Sequence, residues 1–110
     1  MKFEVTDNIA LVFENQISTI DFFKKFENIY PEIKSKNIIV SLADFQMSAY
    51  DFIEKILKIS ESHQKGKHSF VIVSSTAVTD KLPEALICAP TLQEAKDLIE
   101  MDEMQRDLGF

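Results

Sequence analysis

The sequence predicts an α/β domain, a mixed β-sheet of about five strands covered by helices, in the order β-β-α-β-α-β-(turn)-β-α. Three observations predict it. Ile38-Ile39-Val40-Ser41-Leu42 and Phe70-Val71-Ile72-Val73 are almost wholly apolar and rich in β-branched residues, as in strands covered on both faces. The stretches after the second, third and last strands carry apolar residues at helical spacing. A hydroxyl residue followed three positions later by an acid occurs at Ser18/Asp21, Ser48/Asp51 and Thr91/Glu94, each time where a strand has just ended.

Taken in order, Lys2-Phe3-Glu4-Val5-Thr6 alternates apolar and polar residues, the period of a half-buried strand. Asp7-Asn8 tolerates positive φ and suits a tight hairpin to a second strand, Ile9-Ala10-Leu11-Val12-Phe13. Lys2, Glu4 and Thr6 on the outer side protect a sheet edge. The first helix opens at Ser18, with a stripe of Ile20, Phe23, Phe26, Ile29, Tyr30 and Ile33. Pro31 is expected to kink it, or to end it near Tyr30. After the strand at Ile38–Leu42, Phe52, Ile53, Ile56 and Leu57 form the stripe of a second helix. That helix ends within Ser62–Lys67, where Gly66 can take the left-handed conformation. Phe70–Val73 pairs in parallel with Ile38–Leu42. Ser74 to Pro83 is polar and turn-rich, Ala85-Leu86-Ile87-Cys88 is a short strand, and Leu92, Ala95, Leu98 and Ile99 line the last helix. The far end, Asp102 to Phe110, is acidic with scattered apolar residues.

Composition narrows the function classes. At 110 residues the chain is one domain, residues 1–110, and nine Phe with no Trp make Phe the main core filler. The net charge of −6 argues against a nucleic-acid binder, which needs a basic surface, and against adsorption to anionic membranes. A single cysteine, Cys88, cannot form an internal disulfide and suits a reducing compartment. With no signal-peptide pattern and no long apolar run, the expected location is the cytoplasm.

The residues offer little for catalysis, and no cofactor, metal or enzymatic activity is expected. Only two histidines occur, His63 and His68, flanking a Lys-Gly-Lys turn and read as a solvated loop. No Gly-x-Ser-x-Gly elbow exists, and two isolated glycines cannot cradle a phosphate. Cys88 sits in an apolar strand and reads as a small core residue. The pair Asp102-Glu103 reads as a solvated helix face.

Attention therefore falls on the stretch from Asn37 to Phe52, a buried strand, a short loop and a helix start. Sites on open α/β sheets form where a strand's carboxyl end meets a helix's amino end. Asp44, Phe45, Met47, Ser48 and Tyr50 are the candidate binding residues there, because three large apolar or aromatic side chains crowd one loop. Burial under a neighbouring loop is the competing reading.

This order of elements resembles the STAS domain, the fold of anti-sigma-factor antagonists. The resemblance covers most of the chain. It is closest over Asn37–Leu42, the helix opening at Ser48, and Leu86–Ile99, where Pro90-Thr91-Leu92-Gln93-Glu94-Ala95 is similar to the family's Ser/Thr-x-x-Glu-Ala helix start. In the antagonists an Asp-Ser-Ser-Gly-Leu-like motif opens the helix after the third strand, and its Ser is phosphorylated by the partner kinase. Met47-Ser48-Ala49-Tyr50-Asp51 stands in that place. Ser48 matches the serine, while the preceding Asp, the second Ser, the Gly and the Leu are missing. Ser48 thus reads first as a helix cap and second as a phosphosite. The segment Ile99–Phe110 is also similar to the tails of short bacterial proteins that carry a ribonuclease Z label. That enzyme's His-x-His-x-Asp-His motif is absent from this chain.

The resemblance implies a non-enzymatic, STAS-like regulatory module that binds a protein partner. The alternative is a small-ligand or nucleotide-binding domain that uses the amides of the Ser48 helix start, with Ser41 and Ser74 adding hydroxyls. Leu108 and Phe110 have three open placements: folded onto the core, reaching into a second subunit as a homodimer contact, or free as a docking peptide.

Overall fold

The computed structural model describes residues 2–14, 19–42, 50–74 and 85–109. Strand β1 (Lys2–Thr6) turns through Asp7-Asn8 into β2 (Ile9–Glu14). Asp7 takes the positive φ, 23°. Helix α1 is Thr19–Ile33, β3 is Asn37–Leu42, α2 is Tyr50–Lys65, β4 is Phe70–Val73, β5 is Cys88–Ala89 and α3 is Leu92–Asp107. The five strands form one mixed sheet in the order β1-β2-β3-β4-β5. Only the first pair is antiparallel, and β2 through β5 run parallel.

Alternation along the strands splits the core into two layers. Ala10, Val12, Ile38, Val40, Phe70 and Ile72 point to one face, where Phe22, Phe26 and Ile33 of α1 and Phe52 and Ile56 of α2 cover them. Phenylalanine dominates this layer. The Phe22 and Phe52 rings lie 5.3 Å apart and those of Phe22 and Phe26 lie 5.9 Å apart, pairs that add about 0.5–1.5 kcal/mol each beyond their buried area. Ile39 and Val71 point to the opposite face and pack against Ala95 and Ile99 of α3. A sheet covered on both sides explains why β3 and β4 are apolar nearly throughout.

Four expectations need correction. First, of the two outcomes expected at Pro31, an end near Tyr30 does not occur: α1 continues through Pro31 to Ile33. The lost amide would have bonded the Glu27 carbonyl, one bond in the last turn, and fully buried Ile33 anchors that turn. Second, α1 also buries Phe22, which lies off the expected stripe. The helix faces both the sheet and α2, so its buried arc is wider than one stripe. Third, Lys67, not Gly66, takes the left-handed conformation after α2, with φ 65°. Gly66 N and Lys67 N donate to the carbonyls of His63 and Gln64. Fourth, β5 pairs over Cys88–Ala89 rather than from Ala85, with the Ile87 carbonyl accepting from Ile72 N and Leu86 buried in the α1/α2 layer. The segment Ser74–Pro83 lies largely outside the described residues. The last helix start is as expected, with Thr91 Oγ1 accepting from Glu94 N at 3.2 Å.

Candidate functional site

The carboxyl ends of β2, β3 and β4 form one rim. Glu14 is level with Leu42, and Phe13, Ser41 and Val73 lie side by side one step back, on the α3 face of the sheet. The chain leaves this rim after Leu42 and returns at Tyr50, the first residue of α2. Asp44, Phe45, Met47 and Ser48 lie outside the described residues, as does Phe110. Helix α3 packs chiefly on β3, β4 and β5, and Ile9 and Leu11 of β2 pack at the edge of its apolar cluster. Phe13, farther along β2, is 38% exposed. Ser41 beside it is half-buried, and Ser74 is buried.

The opposite, amino rim holds a polar network that sequence reasoning missed. Asn37, at the start of β3, is 3% exposed. Its Nδ2 donates to Glu103 Oε1 at 2.7 Å, and its Oδ1 accepts from Ser69 N at 2.8 Å and from Arg106 at 3.4 Å. Ser69 Oγ donates to Asp102 Oδ2 at 2.8 Å and accepts from Arg106 at 3.3 Å. Asn8 Nδ2 also donates to Glu103. The acids Asp102 and Glu103 are thus half-buried anchors, not a solvated face. The available signal was helical phase: 102, 103 and 106 continue the sheet-facing stripe of 92, 95 and 99. Clefts of about 410 and 300 Å³ flank Arg106, both lined by Lys67 and His68. Cations and carboxylates share these walls, so neither sign of ligand charge is favoured.

His63 is likewise no loop residue. It lies in the last turn of α2, 2% exposed. Burial pushes its pKa below the usual 6.5, and nearby His68 lowers it further, partly opposed by the bond to the Lys36 carbonyl. Burial also raises the Tyr30 phenol and pushes the Cys88 thiol up to about 11. Cys88 is therefore protonated at neutral pH and a poor nucleophile. Tyr30 also lines an apolar groove of about 350 Å³ between α1 and α2, with Phe26, Pro31 and Ile59.

Among the described residues no group of three or more His, Cys, Asp or Glu could hold a metal ion, and no helix is long and apolar enough to cross a membrane. Leu108 caps α3 and is 71% exposed, so of the placements open to it the fold-back onto the core is not adopted. Comparison with family models, with characterised proteins and with solved structures produced no match.

Proposed function

We propose that this chain is a non-enzymatic, STAS-like protein-interaction module whose partner docks at the carboxyl rim, on the 44–50 segment and the start of α2. The observation that carries the reading is Phe13. A large aromatic side chain stands 38% exposed near the carboxyl end of β2, one strand from the point where the chain leaves β3. Aromatic side chains are common anchors of protein interfaces.

The state of the reactive groups supports the same reading. Both ring nitrogens of His63 are engaged, and the Cys88 thiol is held protonated. Neither is poised as base or nucleophile. Ser48, outside the described residues, is in this reading a residue whose phosphorylation would add charge to the docking rim.

The test is co-precipitation from cells that make this protein, with Phe13→Ser and Tyr50→Ala as variants and phosphosite mapping of Ser48. A partner bound by the parent chain is lost from both variants. A partner retained at full strength by both removes the carboxyl rim from consideration.

A further inference from the structure

A second surface lies on the outer side of α3. Met101, Met104 and Leu108 are 57%, 64% and 71% exposed. Their spacing of three and then four residues puts them on one line of the helix, away from Ala95 and Ile99, which face the sheet. Large apolar side chains in a row on a solvent-facing helix surface, with no core to cover them, form a docking stripe. Methionine suits such a surface because its unbranched thioether adapts to a partner's shape.

Charge identifies the occupant. Asp97 precedes Met101 on the same line, Glu100 and Asp107 border one side, and Glu94 borders the other. The cations of α3 lie off the stripe: Arg106 bonds to Asn37 and Ser69 on the sheet side, and Lys96, exposed one turn before Glu100, lies beyond that acid from the methionines. The helix's carboxyl end adds partial negative charge at Leu108. A second copy would bring acids against acids across a two-fold axis, and an anionic bilayer would be repelled.

We infer that the Met101–Met104–Leu108 stripe docks a basic amphipathic helix of a partner protein, its apolar residues on the methionines and its Lys or Arg side chains against Glu94, Asp97, Glu100 and Asp107. This is the helix-on-helix mode in which spaced apolar anchors give affinity and bordering charges give register. It does not depend on the carboxyl-rim reading, since the stripe lies on the far side of α3 from the sheet.

The test is an amide-shift titration of the isotope-labelled full chain. The probe is a designed helical peptide of about five turns, with leucine on one stripe and lysine elsewhere. Shifts confined to the outer side of α3 are expected, with weakening of about tenfold or more in Met101→Ala/Met104→Ala at an unchanged melting midpoint. The same peptide with glutamate for lysine is expected not to bind. The inference is overturned if the lysine peptide does not bind, if its shifts spread over the whole acidic surface, or if the glutamate peptide binds equally. It is also overturned if the alanine variant binds like the parent, if the parent is a dimer that those substitutions dissociate, or if phosphatidylserine vesicles capture the chain through the same residues.

Discussion

The Tyr30 hydroxyl and His63 Nδ1 lie 2.7 Å apart and join α1 to α2 beneath the sheet. The other ring nitrogen, Nε2, is 2.7 Å from the Lys36 carbonyl oxygen, which can only accept. Nε2 therefore carries the proton, and Nδ1 accepts from the Tyr30 hydroxyl. Two helices and the turn before β3 are tied through one neutral imidazole. Tyr30→Phe leaves Nδ1 unpaired in a buried site, and urea denaturation should show a loss of about 1–3 kcal/mol.

The same ring makes stability pH-dependent. His63 has a folded pKa below 6.5, so between that lowered value and 6.5 the unfolded chain binds more protons than the folded one. Stability is full above pH 6.5 and falls as pH drops from there toward the lowered pKa. Melting midpoints across this window should decline for the parent and for His68→Asn. In His63→Phe the decline should be reduced, whatever the change in absolute stability. An equal slope in His63→Phe would remove His63 as its source.

Asn37 predicts a different cost. Its side chain satisfies the buried Ser69 amide and holds Glu103 of α3. Asn37→Ala orphans the buried Ser69 amide and leaves Glu103 with Asn8 alone of the donors Asn8 and Asn37, and chemical denaturation should register about 1–3 kcal/mol of destabilisation. Glu103→Gln, which keeps an acceptor for Asn37, should cost less than half as much.

Lys67 occupies a conformation that costs a side chain about 1 kcal/mol. Lys67→Gly should therefore stabilise the chain by a few tenths to about 1 kcal/mol. Gly66→Ala should be neutral or mildly stabilising, because an added Cβ meets the His63 carbonyl oxygen at an ordinary 3.4 Å. Thermal melts of the two variants compare them directly.

These contrasts mark how much of the fold was legible in the residues. β3 and β4 announce themselves because burial on both faces leaves no polar period. Thr91–Glu94 is legible because a helix cap is local chemistry. His63 was not, although 52, 56 and 63 share one helical phase, because the Lys-Gly-Lys turn made the last turn of α2 look like loop. Glu103 was not either. Its partners Asn37 and Asn8 are 66 and 95 residues away, and nothing local distinguishes an acid that meets a buried amide from one that meets water. Of the candidate site, the strand leading in and the helix leading out stand where expected. Phe13, its exposed aromatic, reads in the sequence as an ordinary strand residue, since its exposure depends on tertiary packing.

The proposed interaction role is tested most directly by quantitative co-purification from the native cells, comparing the parent chain with Tyr50→Ala and Phe13→Ser at matched abundance and stability. The account predicts one protein recovered near equimolar with the parent and reduced about tenfold or more in each variant. Recovery of that protein at parental levels with both variants, or no protein recovered with the parent, would contradict it.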